Sequence, residues 1–192
     1  MASRIKARIT DTATKLFADC GFHGVSTRDV AKAARVTEGS IYRIFASKDG
    51  LFKETIAAAL GKALDPAHFL LMIYENQHNQ DATSILTSAV LRWYSSLTQS
   101  SARLLLQAYL LAEWREFAYG PIEKIMKILA SHLDGAEKSK DAAKVATTAA
   151  RASILSILQF KVTYASSCTS KQETEAITAL IHQWFKGFAS AK

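Results

Sequence analysis

The sequence predicts an all-α protein of two domains, an N-terminal three-helix helix-turn-helix module followed by a larger helical domain. Three observations carry this. Apolar residues recur at three- and four-residue intervals in one segment after another, helix-starting and helix-stopping residues separate those segments, and no stretch shows strand-like alternation flanking a hairpin turn. The chain has 192 residues, 49% hydrophobic and 21% charged, with only two prolines, which is globular composition with apolar mass for a sizeable core.

From Arg4 to Cys20 the residues Ile5, Ile9, Ala13, Leu16, Phe17 and Cys20 form one helical face, and Lys6, Arg8, Asp11 and Lys15 lie on other sides. Gly21 stands where the helix C′ residue takes a positive φ, and Phe22 follows where a side chain packs back on the last turn. Ser26 and Asp29 have capping-box spacing for a second helix, about Thr27 to Ala34, whose inward Val30, Ala31 and Ala34 are small enough for a close crossing. Thr37 caps a third helix ending near Phe45. On its wheel Thr37, Ile41, Ile44 and Phe45 gather toward the core, and Gly39, Ser40, Tyr42 and Arg43 gather on the opposite face. Ser47 caps the next helix, in which Leu51, Phe52, Ile56, Leu60 and Leu64 form a stripe until Asp65-Pro66. The expected division is therefore 1–47 for the helix-turn-helix domain, 48–64 for a connecting helix and 65–192 for a larger helical domain, to which the resemblance described below assigns effector binding and dimerisation.

Two short helices joined by a tight turn, the second with a polar outward face, have the layout that places a helix in the major groove. Arg43 offers a guanidinium fork suited to guanine or phosphate, Tyr42 a hydroxyl on a rigid arm, and Gly39 room for close backbone approach. The free N–H groups at the helix starts near Thr27 and Lys48 suit phosphate. Charge agrees: the net charge is +7, and up to Leu60 ten Lys/Arg stand against six Asp/Glu. Spacing alone also fits a three-helix module whose polar face is only solvated.

The segment from Phe17 through Phe52 resembles the N-terminal domain of TetR-family transcriptional regulators. The resemblance rests on Leu16-Phe17-Ala18-Asp19-Cys20-Gly21-Phe22, on Thr27, Asp29, Val30 and Ala31, and on Val36-Thr37, Gly39, Ile41-Tyr42, Phe45, Lys48 and Leu51-Phe52. It implies that Thr27 and Lys48 contact phosphates, that Thr37 to Arg43 form the recognition helix and that Tyr42 rests on the DNA backbone. The expected DNA-binding set is Thr27, Arg28, Thr37, Glu38, Gly39, Ser40, Tyr42, Arg43 and Lys48. Two positions depart from the common pattern. Arg35 stands where the turn often has Gly, at a cost of about 1 kcal/mol if φ is positive there; Ile44 stands where an aromatic or His often precedes the Phe.

Beyond Pro66 the reading gives helices near 83–99, 102–112, 121–133, 141–165 and 171–189, with breaks at 75–81, Gly120-Pro121 and Asp134-Gly135. Phe69, Trp93, Tyr94, Leu97, Tyr109, Trp114, Phe117, Met126 and Phe160 are the expected lining of an apolar effector pocket, although any one of them also serves as plain core. The small-residue helix near 142–165 and the last one are expected, on the resemblance, to form a homodimer interface through Ile154, Leu158, Ile177, Leu180, Ile181, Trp184 and Phe188. The partners implied are a palindromic double-stranded DNA operator and a small, largely apolar molecule that releases a repressor.

Glu75-Asn-Gln-His78 has E-x-x-H spacing, but a second such motif is missing and no metal or other cofactor is expected. No P-loop, dinucleotide fingerprint or nucleophile elbow occurs, so no enzyme is expected. Cys20 and Cys168 are read as free thiols, and the longest apolar runs are too short for a membrane span, which gives a cytoplasmic expectation. The rival reading is a helical ligand-binding module whose front domain docks a protein.

Overall fold

The computed structural model describes residues 2–61, 65, 67, 71, 74, 82–132, 140–164 and 169–189. Among them are nine helices and no strand: α1 (Ala2–Gly24), α2 (Thr27–Ala33), α3 (Glu38–Phe45), α4 (Lys48–Leu60), α5 (Ala82–Ser96), α6 (Gln99–Leu110), α7 (Ala112–His132), α8 (Lys140–Tyr164) and α9 (Ser170–Ala189). The backbone packs as two compact units. Met1–Ala59 with Thr98–Ala118 form the first, and Leu60–Leu97 with Tyr119–Lys192 form the second. Packing thus adds to the N-terminal helices a segment from later in the chain, α6 and the start of α7.

In the first unit Ile9, Ala13 and Phe17 of α1 are fully buried, as are Leu51, Phe52 and Ile56 of α4. The polar residues of this core satisfy themselves locally, Thr14 Oγ1 donating to the Thr10 carbonyl at 2.9 Å and Thr55 Oγ1 to that of Phe52 at 2.6 Å. Cys20, placed on the apolar face by periodicity, is exposed and free. At Gly21 (φ 75°, ψ 166°) α1 kinks and then makes one more turn to Gly24, which brings the Phe22 ring back to 6.0 Å from that of Phe17. α6 packs along α1 and buries Ala102, Leu104, Leu105 and Ala108, and Gln107 Nε2 donates to the Ala18 carbonyl at 3.0 Å.

In the second unit Ile85, Ala89, Val90, Trp93 and Tyr94 give α5 one buried stripe, and α9 packs on both α8 and α5. Among the boundaries that differ from expectation, two have a local cause. α6 begins at Gln99, three residues early, because Thr98 is an N-cap whose hydroxyl accepts from Ser101 N–H. No break occurs at Gly120-Pro121, since α7 runs through Pro121. The proline removes one hydrogen bond, and the carbonyl it frees, that of Phe117, belongs to a residue that is 39% exposed, where water can serve it. No helix among the described residues is long and apolar enough to cross a membrane.

Candidate nucleic-acid interface

The helix-turn-helix is built by side chains that cap their own helices. Ser26 Oγ accepts from Asp29 N–H at 3.1 Å, and Asp29 Oδ2 accepts from Ser26 Oγ–H at 2.6 Å and Ser26 N–H at 2.9 Å. The Ser26 hydroxyl, then the Ser26 N–H, hold the Asp29 carboxyl below its usual pKa. After α2 the chain turns through Arg35 at φ 52°, and Val36 N–H bonds to the Ala31 carbonyl at 3.0 Å. This is the left-handed geometry that glycine favours, held here by an arginine.

Thr37 caps α3, its Oγ1 accepting from Ser40 N–H at 3.3 Å, and that role turns the threonine outward rather than to the core. Ile41 and Phe45 are buried and Ile44 half-buried; Gly39 and Arg43 are exposed and Tyr42 is 49% exposed. A second left-handed residue, Ala46 at φ 63°, ends α3. Sequence reasoning missed it because alanine does not signal this conformation. The turn holds α4 so close that a Cβ on Gly50 would overlap the Phe45 carbonyl.

Four of the expected DNA contacts meet one another. Thr27, buried at the start of α2, donates its hydroxyl to Glu38 Oε1 at 2.7 Å, and the Tyr42 hydroxyl lies 3.2 Å from Thr27 Oγ1. With the threonine proton on Glu38, Tyr42 is the donor of the second bond. Arg28 Nε stands 3.8 Å from Glu38 Oε2. Lys48, at the start of α4, holds its Nζ 4.4 Å above the Phe22 ring. A further cationic surface that sequence reasoning did not assign to DNA runs along α1, where Arg4, Arg8 and Lys15 stand with Asp11 among them.

This arrangement is a helix-turn-helix with an outward polar face, and residues 9–55, which contain all of it, match the family model described as bacterial regulatory proteins, tetR family. Over these residues the chain is similar to tetR-family bacterial regulatory proteins. Solved structures of similar fold include NalD, the secondary repressor of the MexAB-OprM multidrug efflux pump in Pseudomonas aeruginosa, at 19% identity and a TM-score of 0.70 over 97% of this chain and 98% of that one. The regulator FadR from Bacillus subtilis, in complex with stearoyl-CoA, matches at 18% identity and a TM-score of 0.66 over 91% and 96% of the two chains. The multidrug binding protein EbrR, complexed with malachite green, matches at 21% and 0.60 over 91% and 96%. No curated protein matches the sequence.

The other expected site residues fall in both units. Trp114, Tyr109 and Phe117 belong to the first. There Trp114 packs edge-on against Phe22 and Phe52 at 5.2 and 5.0 Å, and its buried Nε1 has no hydrogen-bond partner. Arg115 covers the half-buried Tyr109 ring, and Lys53 Nζ lies 5.9 Å from both the Trp114 and Phe117 rings. Trp93, Tyr94, Leu97 and Phe160 belong to the second unit, the first three buried and Phe160 half-buried beside Tyr164 at 5.4 Å.

Of the expected dimer residues, Ile154, Leu158, Ile177 and Ile181 are buried within the chain itself, and Leu180 is half-buried. Phe69, Cys168 and the Glu75–His78 motif lie outside the described residues, as do the side chains of Met126, Trp184 and Phe188. Among the described residues no group of three or more His, Cys, Asp or Glu is placed to hold a metal ion.

Proposed function

We propose that this protein is a repressor that binds a palindromic operator as a homodimer and is released by a small, largely apolar ligand. The observation that carries the DNA side is the exposed face of α3, Gly39, Tyr42 and Arg43, set between the helix starts at Thr27 and Lys48. Arg43 and Ser40 are assigned to base edges, and Thr27, Arg28, Tyr42 and Lys48 to phosphates, with Thr37, Glu38 and Gly39 at the start of the reading helix. Dimerisation is assigned to α8 and α9, through surface positions such as Leu180 beside the buried ones. The aromatic residues of the second unit, Trp93, Tyr94 and Phe160, are the assigned ligand contacts. The ligand complexes of FadR and EbrR support this choice of ligand class. The protein is assigned to the cytoplasm.

Release follows as a population shift. A ligand that binds one subunit geometry better favours that geometry, and recognition helices that no longer meet major grooves about 34 Å apart leave the operator. Selection of bound duplexes from a random pool tests the reading: a palindrome with fixed half-site spacing is expected, and a featureless pool overturns it. Operator affinity unchanged by a saturating bound ligand overturns the release mechanism, because coupling between two sites is reciprocal.

A further inference from the structure

Two donor side chains assigned to DNA, Thr27 and Arg28, meet one carboxylate of the protein itself, and a third, Tyr42, bonds to Thr27. Thr27 donates to Glu38 at 2.7 Å, Tyr42 lies 3.2 Å from Thr27, and the Arg28 guanidinium lies 3.8 Å from the other Glu38 oxygen. A carboxylate and a phosphodiester present the same chemistry to such donors: anionic oxygens that accept from hydroxyl and guanidinium groups. We propose that Glu38 is an autoinhibitory residue, an internal stand-in for DNA phosphate that holds Thr27 and Arg28 directly, and Tyr42 through Thr27, in the free protein and must be displaced before they engage DNA.

The proposal rests on the DNA-binding reading above and adds a consequence to it. Phosphate contacts serve operator and arbitrary sequence alike and are nearly all that holds arbitrary sequence, so a competing anion at those contacts weakens both. At a matching operator the base contacts of α3 add free energy that arbitrary DNA does not supply. Glu38 therefore lowers affinity for operator and random DNA by the same factor, which leaves their ratio unchanged and makes random DNA, with no base contacts to offset the loss, the first to be released. Glu38 is also in the first turn of α3, where the helix dipole favours a negative charge, so it sits there without cost to the fold.

The test compares wild type with Glu38→Gln, which keeps an acceptor oxygen for Thr27 and removes the charge. Each protein is titrated with the selected operator and with a random-sequence duplex across a salt series. The variant is expected to bind random DNA roughly threefold more tightly or better at low salt. Its operator affinity should rise by a similar factor, and its log–log salt slope on random DNA should steepen by about 1 as Arg28 takes a phosphate. Glu38→Ala should move both quantities the same way, and Arg28→Gln placed on Glu38→Gln should cancel most of the gain.

Selective loss of operator affinity with random DNA unchanged would overturn the proposal, because Glu38 would then be reading a cytosine amino group. Wild-type binding with both quantities unchanged in the variants overturns it too. Absence of any wild-type binding down to low salt removes the DNA reading and this proposal together.

Discussion

Around Phe22 in the first unit, the rings of Phe17, Phe22, Phe52 and Trp114 meet at centroid distances of 4.8 to 6.0 Å, drawn from α1, α4 and α7. In the second unit a contact of another kind ties three helices. Lys161 of α8 lies 4.3 Å over the Tyr94 ring of α5 and 3.9 Å from Glu173 of α9, and the two charged side chains are only 13% and 15% exposed. The first unit joins its first four helices through linkers of two to four residues, so a few rigid rings and caps at defined offsets leave one arrangement. The second packs long amphipathic helices, whose apolar stripes tolerate sliding. A largely buried ion pair adds a directional constraint that leucine and isoleucine lack.

The largest expected effect probes the ring cluster. Phe52→Ala should cost about 4 kcal/mol in denaturant unfolding of the first unit, since it removes a fully buried ring with three aromatic neighbours. Gly50→Ala should cost about 3 kcal/mol, because its Cβ meets the Phe45 backbone, which the turn at Ala46 does not let move. A loss below 1 kcal/mol would show that the junction of α3 and α4 has slack.

In the second unit Glu173→Gln should cost about 2 kcal/mol by leaving Lys161 with only the Tyr94 ring. The double variant Lys161→Met with Glu173→Gln should recover to within about 1 kcal/mol of wild type. If the double variant stays as unstable as the single one, the charge pair is not what aligns these helices. Arg35→Gly should stabilise by about 0.5 to 1 kcal/mol, the reverse of the usual effect of glycine, because φ 52° is already left-handed. An unchanged or lower midpoint would mean that the arginine side chain offsets its backbone strain.

The smallest effect depends on pH. The folded pKa of Asp29 lies below its unfolded value, so its capping contribution is complete above about pH 4 and is lost as pH falls through the folded value. Asp29→Asn should therefore flatten the acid limb of the stability profile and leave its neutral limb with the same slope. An acid limb identical to wild type would remove the capping box from the account.

Readings that depended on a few neighbouring residues matched the structure well. Ser26 with Asp29, Thr37 as a cap and Gly21 with a positive φ were legible because each device is complete within four residues. Arg35 was legible only against the family pattern. The left-handed Ala46 and the helical Pro121 were not, since the residue types argue for the opposite. The bond from Thr27 to Glu38 spans eleven positions and depends on how α2 crosses α3, which side-chain periodicity does not encode. Aromatic character signalled burial for both Trp93 and Trp114, yet it carried no information about which unit each would join.

The lysine over Phe22 also bears on the timing of binding. A free lysine samples many rotamers, worth about 2 kcal/mol of entropy at room temperature, and loses most of them when it docks on an anion. With its Nζ 4.4 Å above a ring held by three aromatic neighbours, Lys48 gives up much of that freedom when the chain folds. Any anion arriving at the start of α4 meets a cation already in position, so less ordering remains to be done during the encounter.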